Sequence, residues 1–410
     1  MVLIIRTYRL WMLLLAMLGS AAITDRHLQS GYILHEQNNQ EWFQQVVPAK
    51  DPEIYHLFNS PDINTLPVSK HVVDEPPSDA VSDPDIWTRM RSAFSFPAVD
   101  PYLVRNYIDE YTKYPSLLKQ VLQRGEPYLF YILVCLEQKG LPGELALLPV
   151  VESSFDPFAT SPSGAAGIWQ FMSETASYVG LNENWWYDGR RDIMASTDAA
   201  LDYLGQLSKR FNDDWLLTLA AYNAGSTRVR RAITKNRDAG KPTNFWHLSL
   251  PEETRSYVPK IIALRTIIEN PSDYKISLPT LPDTPYFSTV EIRGQIELEV
   301  AAQLAKVPLD ILQRLNPGYS RSITPPGSNI TFLLPKSRAH EFRERISRLP
   351  TSQRVKTIRH RIRMGDNLST IAKQYNTTVP VLRKVNRLKG SKIVAGKFLL
   401  VPTSKHVALM

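Results

Sequence analysis

The sequence predicts a multidomain chain: an all-α domain over residues 85–275, then two small α+β modules, each in βααβ order. Three observations carry that expectation. Apolar residues recur at helical spacing between helix stops from about Asp85 to Asn270. A proline-rich stretch (271–285) then gives way to short β-type runs. Beyond it, two segments repeat one another at a constant offset of 70 residues.

The first elements lie before the helices. Arg6 and Arg9, the apolar run Leu10 to Leu18 and the small residues Gly19 to Ala22 read as a secretory signal peptide over residues 1–22. The alternative is an uncleaved anchor that would add membrane association, but the apolar run is shorter than the roughly 20 residues of a spanning helix. No cysteine follows the run, so no lipoprotein anchor is expected. The single cysteine of the 410 residues, Cys135, lies among Leu133, Val134 and Leu136 and reads as an inert core thiol. A lone cysteine also excludes an internal disulfide framework and a Cys-based zinc site. Residues 23–84, rich in Asp, Ser, Asn and Pro, read as a polar, partly disordered linker.

Within the all-α domain, Leu129, Ile132, Leu133 and Leu136 repeat at i, i+3, i+4 and i+7, and Gly140 and Pro142 stop that helix. Gly143 to Val151 is apolar nearly all round, as in a helix inside a core. Ala200, Tyr203, Leu204, Leu207 and Phe211 mark an amphipathic helix. Trp215 to Asn223 is an apolar one closed by Gly225, and Tyr257 to Ile268 another.

In the repeat, Leu298, Ala302, Leu312, Leu315 and Asn316 match Leu368, Ala372, Leu382, Val385 and Asn386. Each copy is preceded by a β-type run and closed by a hydrophobic run ending in proline, at Pro335 and Pro402. The modules are bounded at 286–336 and 356–403, with a basic helical connector over 337–355. Asp366 stands where a helix N-cap is expected. The charge is uneven. The chain carries a net +8, yet residues 336–410 hold 18 Lys+Arg against 3 Asp+Glu, leaving 30 against 37 in residues 1–335.

The chemistry-bearing residues cluster in the all-α domain. Glu152 ends an apolar helix, where the macrodipole repels negative charge and apolar neighbours desolvate it. Both effects raise a carboxyl pKa, as a general acid requires. Ser163 to Met172 follows, its small residues permitting close backbone approach ahead of Gln170. Ala220 to Gly225 then ends a helix with Tyr222 and Asn223 side by side. Each element alone is as readily a helix end or a tight loop as a site. Eight scattered histidines with no HExxH, and no GxGxxG or P-loop, leave no metal or cofactor expected.

Together these elements resemble the lytic transglycosylase family of lysozyme-like enzymes. Glu152-Ser153, Gly164 to Gln170, Ala221 to Gly225 and Glu253 to Val258 stand in that family's order and approximate spacing. The resemblance covers residues 85–270, and Asn184 to Asp192 points to its membrane-bound D branch. It implies a lysozyme-like fold and non-hydrolytic cleavage of the β-1,4 bond between N-acetylmuramic acid and N-acetylglucosamine in peptidoglycan strands. Glu152 would act first as acid and then as base, leaving a 1,6-anhydro ring. Ser153, Gln170, Tyr222, Asn223 and Tyr257 would line the saccharide groove. Ser153 and Gln170 would hydrogen-bond the sugars, and the tyrosines would position substrate and shield Glu152. A retaining hydrolase would instead need a second carboxylate roughly 5–5.5 Å away, and Asp156, Glu174, Asp188 and Asp192 are nearest in sequence. A hydrolytic muramidase and a catalytically silent peptidoglycan-binding scaffold remain the alternatives.

The second repeat resembles a LysM module, on Gly365-Asp366, Leu368, Ile371-Ala372, Tyr375, Leu382, Asn386, Ile393, Gly396 and Leu400 to Pro402. That resemblance implies binding of N-acetylglucosamine-containing glycan. The first copy has Gly294-Gln295 in place of the Gly-Asp pair and reads as degenerate, a structural spacer. Export places the chain in the periplasm or cell envelope and argues against nucleic acid, which only the basic C-terminal region suggests.

Overall fold

The computed structural model describes residues 85–402 apart from 327, 328, 356 and 376. The signal-peptide and linker expectations for residues 1–84 lie outside the described residues. The first helices are α1 (Ile86–Ser92), α2 (Pro101–Lys113), α3 (Pro115–Arg124) and α4 (Glu126–Lys139). α4 buries Leu129, Ile132, Leu133 and Leu136, as the spacing predicts. Gly140 ends it in the left-handed region at φ 63°, and the next amide, Leu141 N–H, reaches back to Leu136 O at 2.9 Å. Burial pushes the Cys135 thiol up to about 12, in keeping with an unreactive core cysteine.

Residues 143–153 depart from the single expected helix. A 3-10 turn (Gly143–Leu147) precedes α5 (Leu148–Ser153). Pro149 is the cause: it lacks the N–H that would bond Leu145 O, and its ring disfavours an unbroken helix there. The 3-10 turn also buries a charge inside an apolar run. Glu144 accepts N–H from Ser95 and Phe96 at 3.0 and 2.8 Å and pairs with Arg265 at 3.3 Å.

The domain continues with α6 (Ser173–Tyr178), α7 (Ile193–Arg210), α8 (Trp215–Ala224), α9 (Ser226–Asp238) and α10 (Glu252–Glu269). α7 and α8 begin on Asp192 and Asp214, whose side chains accept the N–H of Ala195 and Leu217. α10 starts five residues earlier than the apolar pattern suggests, because Pro251 and the acidic pair Glu252-Glu253 suit a helix start. The proline-rich stretch packs back on the domain: Ile86 N–H donates to Leu281 O, and the buried Trp87 indole donates to Pro279 O at 2.7 Å.

The repeat folds as expected. β1 (Phe287–Arg293), α11 (Leu298–Ala305), α12 (Leu309–Leu315) and β2 (Asn329–Pro335) form the first module. α13 (Lys336–Arg348) and α14 (Thr351–Arg354) intervene. β3 (Thr357–Arg361), α15 (Leu368–Gln374), α16 (Val379–Val385) and β4 (Phe398–Pro402) form the second. Each pair of strands is antiparallel, in registers that set Val290 opposite Phe332 and Arg359 opposite Leu400.

The repeated asparagine explains the repeat. Asn316 donates to Leu312 O and Leu333 O and accepts Leu333 N–H, all at 2.7–2.8 Å. Asn386 does the same with Leu382 and Leu400. One amide thus joins the second helix to the last strand. Asn386→Ala strands the buried Leu400 N–H and should cost the second module about 2–4 kcal/mol. The check is hydrogen exchange: the Leu400 amide loses protection while α4 amides keep theirs.

Two expectations change. The N-cap of α15 is Asn367, not Asp366. The Asn367 side chain accepts Thr370 N–H, and Thr370 Oγ1 accepts Asn367 N–H, a reciprocal capping box. Asp366 instead accepts Arg363 N–H at 2.7 Å and bonds His360 at 3.1 Å. The basic connector is also more than a tether: Ala339, Phe342 and Ile346 of α13 enter the core of the first module. Its cations occupy the other face, and only the apolar spacing hid in a charged sequence.

The segment Asn184 to Asp192 meets the first module. Asp188 N–H donates to Gly318 O at 2.8 Å, and Ser320 N–H to Trp186 O at 2.9 Å. The Arg321 guanidinium lies 4.4 Å from the Trp185 ring centre, and Arg359 of the second module 5.6 Å from that of Trp186. These two tryptophans are thereby engaged by arginines, whereas Trp169 is wholly buried and donates to Thr197.

Candidate active site

Glu152 lies on the last turn of α5 and is only 3% exposed. Burial and the negative end of the helix disfavour its charged form. The Tyr257 hydroxyl of α10, donating to Glu152 Oε1 at 2.8 Å, favours it. Opposed influences of this kind suit a carboxyl that both releases and recovers a proton.

The chain directly after Glu152 is strained. Ser154 and Phe155 both lie in the left-handed region, at φ 51° and 57°. Phe155 holds the turn from the core side. Its ring stacks on Tyr128, with centroids 6.4 Å apart, and fills the space beside Gly125, where a Cβ would come within 2.8 Å of it. Core packing therefore sets the direction in which Glu152 points.

The loop from Ala159 to Phe171 is tied to the end of α5 through Ser153 and Ile168. Ala166 bridges to Thr160 on one side and Phe171 on the other. Gly167 takes φ +81° with its α-carbon against the backbone of Arg190. Gln170, at φ 50°, is buried, and its amide donates to Gly167 O at 2.7 Å. The Ser153 hydroxyl is buried too and shares its hydrogen between Ile168 O (2.9 Å) and Pro149 O (3.1 Å). Both side chains expected to meet sugar are thus bonded to local backbone, and Ser153 ties the end of α5 to the loop.

Tyr222 and Asn223 end α8. The buried Tyr222 hydroxyl donates to Trp169 O at 2.9 Å. Burial first, and then the charge of Glu152, push the phenols of Tyr222 and Tyr257 well above the ordinary tyrosine range, so both stay neutral donors. Half-buried Asn223 donates to Glu253 Oε1 at 3.2 Å and accepts from Thr254 at 2.8 Å, both on α10.

In the sequence Glu253 stands only as the first letter of the stretch Glu253 to Val258, with nothing to single it out. It lies one helical turn from Tyr257 at i, i+4, and its charge, like that of Glu152, is felt by the Tyr257 phenol. That spacing was visible, but only once α10 was known to begin at Glu252. Three of the four carboxylates nearer in sequence are engaged elsewhere. Asp156 accepts Phe158 N–H, Asp188 pairs with Arg190 at 2.9 Å, and Asp192 caps α7. Glu174 lies in the first turn of α6.

Comparison with known proteins follows the same division of the chain. Residues 136–245 match the transglycosylase SLT domain. Residues 286–350 match the LysM-like domain of lytic transglycosylase MltD, and 360–402 the LysM domain. The chain is 36% identical over 333 residues to membrane-bound lytic murein transglycosylase D of Escherichia coli (strain K12), covering 78% of this chain and 73% of that one. A protein of Alteromonas sp. (strain M-1), named for tributyltin chloride resistance, is 38% identical over 176 residues, 43% of this chain and 83% of its own. Among solved structures, lytic transglycosylase Slt of Pseudomonas aeruginosa is similar over 47% of this chain and 40% of that chain. Its identity is 18% and its TM-score 0.28, too low to add to the family match.

Proposed function

The chain belongs to the lytic murein transglycosylase D family, and from that premise we propose that Glu152 is its acid–base catalyst. The carboxyl proton of Glu152 passes to the glycosidic oxygen leaving towards N-acetylglucosamine, and the bond to C1 of N-acetylmuramic acid breaks. The C6 hydroxyl of the same muramic acid then bonds to C1 while its proton returns to Glu152, closing the 1,6-anhydro ring. Proton and electrons balance without water, and the carboxyl ends as it began. The observation that carries this role is the buried bond between Glu152 and Tyr257, which joins α5 to α10.

Around that pair, Tyr222, Asn223 and Tyr257 face the sugars. Ser153 and Gln170 position the helix end and the loop, because their polar atoms bond Ile168 O and Gly167 O. The second module binds N-acetylglucosamine-containing glycan, and the first serves as a spacer. The protein works in the periplasm, exported by its N-terminal segment, which would hold it at the membrane if left uncleaved.

Mass spectrometry of a murein digest tests the reaction. Muropeptides with 1,6-anhydro ends are expected, and reducing ends alone would mean hydrolysis. A second measurement addresses Tyr257. Its hydroxyl stabilises the Glu152 carboxylate, so Tyr257→Phe raises the pKa of Glu152. Because the first step needs the protonated acid, the alkaline limb of the rate profile should move to higher pH. Loss of one hydrogen bond to a charged group should also slow cleavage about ten- to a hundredfold.

A further inference from the structure

α9 leads away from the site directly after Gly225, and one of its faces is unlike the rest of the all-α domain. Val229, Ala232 and Asn236 are buried. The opposite face borders an open groove of about 1170 Å³ between α9 and the end of α7. Arg230, Arg231, Lys235 and Arg237 line it from α9, and Arg210 lines it from α7, against one acid, Asp238. All five cations are exposed, and among the described residues none has an ion-pair or side-chain hydrogen-bond partner. Arg231 and Lys235 stand at i, i+4, where like charges oppose helix formation. The cluster is local, since residues 1–335 carry 30 Lys+Arg against 37 Asp+Glu.

We propose that this groove binds an acidic peptide: the stem peptide carried by the muramic acid that Glu152 attacks. The inference rests on the functional reading above. Three features select a peptide. The apolar floor, Phe211 and Leu217, is recessed and buried, whereas a membrane-binding face would present apolar side chains outward. No exposed aromatic ring lines the groove for base stacking, as a single-stranded nucleic acid would use. The reach also fits. From Ser226 to Arg237 the helix rises about 16 Å, and an extended peptide of about five residues spans about 17 Å. A chain whose root lies beside Asn223 can therefore lay its carboxylates along the cations, with small side chains over the floor.

The test uses the full chain, wild type and the triple variant Arg230→Glu, Arg231→Glu, Lys235→Glu. On peptide-bearing murein the variant should show KM raised about tenfold with kcat unchanged. On glycan strands stripped of peptides by an amidase it should match wild type. Calorimetry with the free stem tetrapeptide should show binding by wild type that weakens with salt and is lost in the variant. Arg230→Lys, Arg231→Lys should keep it. Should the triple variant fail to fold, Arg230→Gln, Arg231→Gln replaces it in every arm. Equal KM on both substrates, or tetrapeptide binding that the variants retain, overturns the proposal. So does binding of wild type to phosphatidylglycerol vesicles but not to tetrapeptide. If wild type yields no anhydro ends from either substrate, the catalytic reading fails, and tetrapeptide binding still decides the groove.

Discussion

Glu152→Gln keeps the fold and slows murein cleavage by about a thousandfold or more. Gln preserves the size of the side chain and an oxygen that accepts from Tyr257, now 2.8 Å from Glu152 Oε1, so packing around α5 changes little. It has no proton to give the leaving oxygen and cannot take one from the C6 hydroxyl. General acid–base catalysis contributes about 10²–10⁴-fold, and here one group serves both halves of the reaction. Release of soluble muropeptides measures the loss, with circular dichroism as the control for folding. Digestion at the wild-type rate would remove Glu152 from the mechanism and leave a binding scaffold as the better account.

Gly167→Ala acts through structure. A Cβ at this position would stand 2.1 Å from Arg190 O, and the backbone already lies at φ +81°. Arg190 O is a backbone atom and not the far end of a flexible side chain, so the loop must move away from the Arg190 backbone. Gly167 N–H bonds Ala159 O, and Gly167 O accepts the Gln170 amide, so that movement disturbs the loop that Ser153 ties to the end of α5. The expected cost is about 3 kcal/mol, a fall in Tm of about 6–12 °C for a domain of this size, with most of the activity lost. Gly164→Ala is the control. Gly164 has a similar φ, +91°, but nothing lies within 4 Å of its added Cβ, so only the conformational penalty of about 1 kcal/mol should appear. Equal effects of the two substitutions would refute the crowding argument.

Much of the architecture was legible because its causes are local. The spacing of Leu129, Ile132, Leu133 and Leu136 and the left-handed Gly140 define α4 within one stretch of chain. The 70-residue offset was readable because Asn316 and Asn386 must each bond a nearby helix and strand. What was not legible depended on competition between neighbours. Asp366 and Asn367 are both good caps, and the capping box with Thr370 decides between them. The apolar face of α13 was masked by its charges until Phe342 and Ile346 met the core of the first module.

By itself, the sequence determined the helical domain, the duplicated modules and the position of Glu152 at the end of an apolar helix. Periodicity, caps and backbone restrictions act over a few residues, and a sequence displays them directly. Only the tertiary structure decided what the site side chains do. Ser153 turns to Ile168, 15 residues away, and Tyr257 reaches Glu152 across 105 residues. Asn223 reaches Glu253 across 30 residues. A side chain with several satisfiable hydrogen bonds takes the partner that packing brings to it, and that partner is chosen by the fold rather than by the residue's neighbours in sequence.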